Sequence, residues 1–185
     1  MNAYDLPSSL TVGGRDYSIR AGWRHILRIL EACSDPDVSP RARTIIILKI
    51  FYHEWKSIPR EHIQEALDKA SEFIDCGERK RSGPKLIDWN QDAQMIIAAV
   101  NKVSGIEVRK SPDIHWWTFL GWYMSIGESV LSSYIRIRQK IAKGEKLDKY
   151  EKEYYLSNKE KIDLLNPETA EIREEKENIR RWLNG

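Results

Sequence analysis

Residues 115–124 constrain this chain more than any other stretch. They read His-Trp-Trp-Thr-Phe-Leu-Gly-Trp-Tyr-Met, and rings at this density occur either in the centre of a core or in a recognition patch. On a helix, Trp116, Leu120 and Tyr123 share one face. Trp117 lies on a neighbouring face, so apolar surface covers well over half of the circumference. A helix of this kind has to be covered from several sides, and we therefore predict a central helix.

The start of this helix is predicted from the residues before it. Ser111 and Pro112 supply a capping side chain and a proline at the first turn, where proline is tolerated. His115 would then lie in the first turn, where an imidazole usually hydrogen-bonds to a cap or packs on a ring. We expect most of the rings to be core. Only Trp122 and the edge at His115 are expected to reach the surface, which makes Trp122 a candidate partner-binding residue.

Composition suits one folded domain rather than a disordered chain. The 185 residues are 41% hydrophobic and 31% charged, with a formal net charge of +2. Such a weak overall field does not argue for nucleic acid as a partner. The longest purely apolar run, residues 45–48, falls far short of the roughly 20 residues that span a bilayer, and no signal peptide is recognisable. We expect a cytoplasmic protein that does not enter a membrane.

Hydrophobic spacing predicts a mainly α-helical fold that opens with a short β-hairpin. Two β-prone runs within residues 9–20 flank a Gly-Gly pair, which favours a tight primed turn. Helical spacing between turn and capping residues continues along the rest of the chain. The predicted helices cover residues 21–33, 40–52, 59–77, 92–105, 112–124, 128–144 and 148–165.

The organisation predicted from these elements is one helical domain over residues 1–165. Its two helical halves, 21–77 and 86–165, are joined by the basic loop 78–85, which contains Gly and Pro and no apolar side chain between Glu78 and Lys85. Residues 166–185 form a charged C-terminal helical extension with few apolar residues. Such a helix is marginal alone, and we expect it to lie against a partner, another subunit or its own domain.

Motifs for catalysis, metals and cofactors are missing from the sequence. The Gly-Gly pair has neither a GxGxxG nor a GK[ST] continuation, no HExxH or GxSxG motif occurs, and the histidines and cysteines do not group at ligand spacing. We therefore predict no cofactor, no metal site and no catalytic residues. The four histidines are His25, His53, His62 and His115.

Asp88 and Asp92 are the one pair of carboxylates that we consider as candidates for catalysis. Four residues apart, they could share a helix face, and two close carboxyls can separate their pKa values for acid–base work. With His115 they would suggest an enzyme. The favoured interpretation is structural: Asp88 caps a helix that begins at Trp89, and Asp92 in its first turn offsets the helix dipole.

Two further groups of residues are candidates for contacts with other molecules. Ile179, Trp182 and Leu183 form an apolar patch on the charged C-terminal extension, and a lone Trp there suits a docking anchor. Basic residues supply the alternative, a nucleic-acid or regulatory contact through phosphate neutralisation. They lie in the loop 79–85 and on the exposed side of a later helix: Arg79, Lys80, Arg81, Lys85, Arg136, Arg138, Lys140 and Lys143.

Several segments taken together resemble the bacteriophage gp-fifteen family, small proteins of tailed phages and prophages of Gram-positive bacteria. The segments are Ile-Asp-Trp-Asn-Gln-Asp-Ala at 87–93, Ile-Ala-Ala-Val-Asn at 97–101, Ile-His-Trp-Trp-Thr-Phe at 114–119, 133–138, and Glu-Lys-Glu-Tyr-Tyr at 151–155. The hairpin and the Glu-Phe-Ile-Asp-Cys-Gly ending at 72–77 are similar too, so the likeness covers most of residues 5–160. The signature residues are Asp88, Trp89, Asp92, His115, Trp116, Trp117 and Phe119.

The resemblance implies a role in tail assembly. Genes of this family typically lie between those of the major tail protein and the tape measure protein, where siphophages place their tail assembly chaperones. The implied activity is to bind the long helical tape measure protein and keep it soluble in the host cytoplasm until the tail tube polymerises. The implied partners are that client, a second tail assembly chaperone and further copies of the same chain. No catalytic residue comes with the family.

Overall fold

The computed structural model describes residues 5–77, 83–111 and 113–165. Within these ranges an antiparallel hairpin precedes seven α-helices, which confirms the predicted mainly α-helical fold. The strands are β1 (Ser9–Val12) and β2 (Arg15–Ser18). The helices are α1 (Trp23–Ser34), α2 (Pro40–Phe51), α3 (Ile63–Ile74), α4 (Ala93–Ser104), α5 (Trp116–Met124), α6 (Val130–Ala142) and α7 (Lys149–Ile162). Short 3₁₀ turns cover Trp55–Ser57, Arg60–His62 and Val108–Lys110.

The hairpin turns at the glycine pair, as predicted. Gly13 and Gly14 have φ angles of 56° and 76°, the left-handed conformation that a primed two-residue turn requires. Across the strands Leu10 pairs with Tyr17, and both side chains are buried against the helices. A Cβ atom at Gly13 would lie 2.5 Å from the His62 ring, so close approach as well as backbone conformation requires glycine here.

Helix ends follow the sequence signals in most places. The Ser39 hydroxyl accepts a hydrogen bond from the Ala42 amide at the start of α2, and Gly105 after α4 is left-handed with φ of 72°. Gly144 after α6 is also left-handed, with φ of 69°. The prediction for α3 was wrong at its start. Pro59 opens a 3₁₀ turn, and the α-helix begins only at Ile63.

One large apolar core joins the hairpin to helices α1–α5, and Leu131 of α6 is also buried in it. Its fully buried members include Ile26 of α1, Phe51 of α2, Phe73 of α3, Val100 of α4 and Phe119 of α5. These residues come from both sides of the segment 78–82. Burial of this much apolar surface is the main driving force for the fold.

A second, much smaller apolar cluster holds α7 to α6. Its buried members are Tyr134 and Ile137 of α6 and Ile162 at the end of α7. Within α7 only Glu151 and Ile162 are buried, and the helix is interrupted at Asn158, whose φ and ψ of −127° and 19° are not helical. The α6–α7 unit is therefore thinly packed.

Candidate partner-binding surface

The rings of α5 lie mostly inside the protein. Trp116 and Phe119 are buried. Phe119 stacks on Trp23 of α1 with ring centroids 4.7 Å apart and nearly parallel planes, and on Trp116 at 5.9 Å. Stacked aromatic pairs add to the stabilisation that area burial gives. α5 is thus the aromatic centre of the large core.

Trp116 and Trp117 also act as hydrogen-bond donors to the end of α3. The Trp116 indole N–H donates to the Ile74 carbonyl at 2.8 Å, and that of Trp117 donates to the Phe73 carbonyl at 2.9 Å. The last turn of a helix leaves carbonyls without intrahelical partners. The adjacent tryptophans therefore cap α3 from outside while their rings fill the core.

His115, rather than Ser111, caps α5. Its Nδ1 accepts from the Trp117 amide at 3.1 Å, and its Nε2 lies 3.1 Å from the Pro7 carbonyl. These two contacts suit a neutral ring with the proton on Nε2. Burial lowers the pKa of His115, and the Pro7 carbonyl only partly opposes this effect. The prediction of a cap at Ser111 was wrong, because α5 begins only at Trp116. Ser111 instead follows the 3₁₀ turn Val108–Lys110.

Trp89 and Trp122 are half-buried against the same core. The Trp89 ring lies edge-on to Trp116 at 5.9 Å and tilted against Tyr123 at 5.2 Å. Trp122, a predicted surface residue, packs on the core with part of its ring and is not fully exposed. It offers less free apolar surface than its position at the edge of α5 suggested.

Asp92 and Arg138 form a buried ion pair that joins α4 to the α6–α7 unit. The guanidinium donates to both carboxylate oxygens at 2.6 and 2.9 Å, and the side chains are 0% and 5% exposed. Arg138 also donates to the carbonyls of Leu86, Lys161 and Ile162. A two-pronged pair with the remaining donors satisfied is the form in which a buried charge pair is tolerated.

This pair corrects two predictions. Arg138 was placed on the exposed side of its helix, whereas it is buried. Asp92 was expected to offset the dipole from the first turn, but α4 begins after it, at Ala93, and the Asp92 carboxylate caps none of its amides. That carboxylate instead accepts from Arg138 and from the Asp88 amide at 3.0 Å.

Asp88 caps a turn rather than a helix. Its carboxylate accepts from the amides of Asn90 and Gln91 at 2.9 and 2.8 Å and pairs with Lys85 at 2.7 Å. Partial burial raises the pKa of Asp88, but the Lys85 ammonium and the two amides outweigh it, so the pKa lies below its ordinary value. Asp88 therefore pairs with Lys85, whereas Asp92 pairs with Arg138.

Three of the four histidines lie near one another but do not form a metal-binding group in the described part of the chain. His25, His53 and His115 line a cavity of about 400 Å³ with Asp113, whereas Asp88 lines a different cleft. Among residues 5–77, 83–111 and 113–165, no group of three or more His, Cys, Asp or Glu side chains is placed to hold a metal ion.

An open groove with both apolar and charged side chains lies between α6 and α7, and we call it the α6–α7 groove. It measures about 1050 Å³. Its exposed apolar residues are Val130, Tyr150 and Tyr154, which are 53%, 81% and 38% exposed. Its full lining is Glu128, Ser129, Val130, Ser133, Arg136, Ile137, Lys140, Asp148, Tyr150, Glu151, Glu153, Tyr154 and Ser157.

Charged side chains of the α6–α7 groove converge on Glu151. The Lys140 ammonium lies 2.6 Å from this carboxylate and the Arg136 guanidinium 3.7 Å from it. The Lys140 ammonium lowers the pKa of Glu151, and the Asp148 amide adds to that effect. The groove carries four acidic side chains, Glu128, Asp148, Glu151 and Glu153, against two basic ones, so its charge is net negative.

The predicted basic patch is not assembled by the described residues. Arg138 is buried, Arg136 and Lys140 share one carboxylate, and Lys85 pairs with Asp88. Three members of the patch, Arg79, Lys80 and Arg81, lie outside the described residues. The predicted docking anchors Ile179, Trp182 and Leu183 also lie outside them.

A sequence signal for the buried Arg138 did exist. Leu131, Tyr134 and Arg138 follow the i, i+3, i+7 spacing of the buried stripe of α6, so an arginine occupied a core position. The partner of Arg138 could not be predicted from the sequence, because Asp92 lies 46 residues away, just before the start of another helix. Likewise no local pattern indicates that the tryptophans of α5 cap α3.

No helix in the described part of the chain combines the length and apolar character that crossing a membrane requires. No curated protein and no solved structure matches this sequence. Residues 3–164, by contrast, match the family described as Bacteriophage Gp15 protein. This match covers the hairpin, α1–α7 and all the signature residues. The chain therefore belongs to the Bacteriophage Gp15 protein family.

Proposed function

We propose that this phage protein is a non-enzymatic tail assembly chaperone that binds the tape measure protein before the tail tube polymerises. The observation that carries the proposal is the α6–α7 groove, an open groove with exposed aromatic rings beside a small apolar cluster. Exposed aromatic rings in a groove are typical anchors for a partner helix. Family membership supplies the phage context.

The groove suits a helical client with basic flanks. Tyr150 and Tyr154 are four residues apart on α7 and both are exposed. Residues at this spacing lie on one face of a helix, where they can contact apolar residues of a partner helix. The excess of carboxylates around them attracts Lys and Arg beside the apolar face of the client. Binding of this kind needs no catalytic group, no metal and no cofactor.

Self-association is part of the proposal. One groove gives a weak contact with a long client, and several linked copies multiply such contacts through their effective concentration. A homo-oligomer, with or without a second tail assembly chaperone, would hold an extended client along its length in the host cytoplasm. Nucleic acid is not proposed as a partner, because the described members of the predicted basic patch are buried or paired with carboxylates. These members are Lys85, Arg136, Arg138, Lys140 and Lys143.

Co-expression with the tape measure protein of the same phage tests the proposal. We expect the client to be soluble and to co-purify with the wild-type chain. The variant Tyr150→Ala/Tyr154→Ala should lose co-purification. The variant Met124→Ala, which removes a 65% exposed side chain outside the groove, should retain it.

Two results would contradict the proposal. A client that stays insoluble with the wild-type chain would remove the chaperone function. If the client binds the double variant and Met124→Ala equally well, the groove is not the client-binding site. Circular dichroism on each variant separates lost binding from lost folding.

A further inference from the structure

A second open cleft lies beside α1, and we call it the α1 cleft. It measures about 680 Å³ and lies between the end of α1, the loop that follows it, and the turn at residues 88–91. Its lining residues are Arg28, Leu30, Glu31, Ala32, Ser34, Asp35, Val38, Asp88, Trp89, Asn90, Gln91 and Leu165. The α1 cleft shares no lining residue with the α6–α7 groove, so the two surfaces are separate.

The lining of the α1 cleft is partly apolar and net acidic. Leu30, Val38 and Trp89 are half-buried, whereas Glu31 and Asp35 are exposed. Carboxylates outnumber cations in the lining, with Glu31, Asp35 and Asp88 against Arg28. The cleft therefore suits an apolar side chain that has cations beside it.

The exposed face of α2 has this complementary chemistry. Arg41, Ile45 and Lys49 are exposed and four residues apart, so they form one line along the helix, which we call the α2 stripe. Ile45 is 44% exposed. The helix contacts α1 and α3 on its other sides. The α2 stripe thus presents one apolar side chain between two cations.

The charge of α2 is unfavourable for the helix by itself. Residues 40–51 contain no acidic side chain, and Arg41 lies in the first turn. The N-terminus is the positive end of the helix dipole, where a cation is destabilising and an anion stabilising. Carboxylates supplied by another surface would offset both the dipole and the cations of the stripe.

That surface is not the α1 cleft of the same chain. Ile45, Glu31 and Asp35 are all exposed in the same structure, so the α2 stripe does not cover the α1 cleft within one chain. Two different surfaces that complement each other and stay open on one chain can be joined between copies.

We propose that the α2 stripe of one copy docks in the α1 cleft of a second copy. Ile45 contacts the apolar part of the lining, and Arg41 and Lys49 face its carboxylates. This inference rests on the self-association in the proposed function and names the surfaces that provide it. The contact leaves the α6–α7 groove of each copy open for a client.

Charge reversal on each surface of the full chain tests this contact. We expect wild type to self-associate as its concentration rises, measured by sedimentation velocity. The variants Arg41→Glu/Lys49→Glu and Glu31→Lys/Asp35→Lys should each associate roughly tenfold more weakly or worse, because like charges then face each other. Circular dichroism on each variant separates lost association from lost folding. Association that both reversals leave unchanged would overturn the proposal.

Mixing the two reversed variants gives a sharper test. In the mixture each reversed surface meets the opposite charge on the other variant, and the two unchanged surfaces also match. Association should therefore return, which variants that had merely lost their fold would not show. A mixture of folded variants that stays monomeric would overturn the proposal.

The apolar part of the contact has a matched control. Ile45→Ala should weaken self-association, whereas Ile141→Ala on α6 should behave as wild type. Both side chains are 44% exposed in the structure, and Ile141 does not line the α1 cleft. Equal association of the two variants would remove Ile45 from the contact and overturn the proposal.

Client binding is measured separately, so that the two proposals can fail independently. A wild-type chain that is monomeric at every concentration but still co-purifies with the tape measure protein would overturn this inference alone. A wild-type chain that associates through the α2 stripe but leaves the tape measure protein insoluble would support this inference and contradict the chaperone function.

Discussion

Aromatic residues have opposite roles in two regions of this molecule. In α5, Trp116 and Trp117 are packed into the large core, and both indole N–H groups donate to carbonyls at the end of α3. On α7, Tyr150 and Tyr154 are exposed beside a groove. Ring content alone thus says little about function. What separates the regions is whether the fold itself supplies neighbours for the rings and partners for their polar atoms.

Contacts between the large core and the α6–α7 unit include one buried ion pair. Leu131 of α6 is also buried in the large core, and the Gln91 side chain donates to the carbonyls of Lys161 and Asp163. Asp92 belongs to the start of α4, and Arg138 belongs to α6 and also holds the last carbonyls of α7. Because the apolar cluster between α6 and α7 is small, the hydrogen bonds of Arg138 to the Lys161 and Ile162 carbonyls contribute to holding α7 in place. Substitutions in the Asp92–Arg138 pair therefore give the strongest test of this connection.

Arg138→Met should therefore give the largest effect. Removing one member of a buried pair leaves an uncompensated charge and typically costs about 3–5 kcal/mol. We expect a loss of this size in the free energy of unfolding, measured by urea denaturation. The double variant Asp92→Asn/Arg138→Met should be less destabilised than Arg138→Met, because no charge is left unpaired. Equal losses in both variants would show that the packing of the arginine side chain matters, and its charge does not.

Trp116→Phe tests the capping role of the α5 rings. The ring volume is largely kept, but the Ile74 carbonyl loses its donor, and an unsatisfied buried polar group costs about 1–3 kcal/mol. Trp122→Phe is the matched control on the same helix, since Trp122 is half-buried. We expect it to cost less than Trp116→Phe in thermal or urea unfolding. Equal costs would mean that the indole hydrogen bond contributes little.

His115 and His25 should make the free energy of unfolding depend on pH. Burial lowers the pKa of His115, and burial together with Arg20 lowers that of His25. Unfolded histidine titrates near 6.5, so the unfolded chain takes up more protons as the pH falls below that value. Stability from the neutral rings is complete above this pH and is lost as the pH falls through the folded pKa values.

His115→Asn separates the cap from the titration. Asparagine is a good N-cap but does not titrate, so urea unfolding of this variant should lose less stability between pH 7 and pH 5 than wild type. His115→Ala should cost about 1 kcal/mol at pH 7 through loss of the cap. An unchanged pH dependence in His115→Asn would assign the effect to His25 and other groups.

The sequence predicted elements better than connections. The hairpin, the start of α2 and the left-handed ends at Gly105 and Gly144 depend on neighbouring residues, and they were predicted correctly. The Asp92–Arg138 pair depends on two residues far apart in the chain, and local patterns led to the wrong environment for both. Local rules can place turns and helix ends, but they cannot identify contacts between residues that are distant in the chain.

The family could be predicted because its signature residues also lie in short segments of neighbouring residues. The Asp-Trp and His-Trp-Trp-x-Phe segments are short and contiguous, and the match over residues 3–164 confirms the resemblance. The α6–α7 groove could not be predicted, because Val130 and Tyr150 come from different helices. Surfaces formed between elements need the packing of those elements to be known.

Tyr150→Ala should have the smallest effect on stability and a clear effect on binding. An 81% exposed side chain has few neighbours to lose, and surface substitutions of this kind usually change stability by less than about 0.5 kcal/mol. If the exposed ring anchors a client helix, its removal weakens binding by roughly 2 kcal/mol, or some thirtyfold. Fluorescence anisotropy with labelled peptides from the tape measure protein measures this change. If Tyr150→Ala binds every peptide as wild type does, the client binds elsewhere on the protein. If Tyr150→Ala unfolds instead, the stability of α7 depends on this ring, as the stability of α5 depends on Trp116.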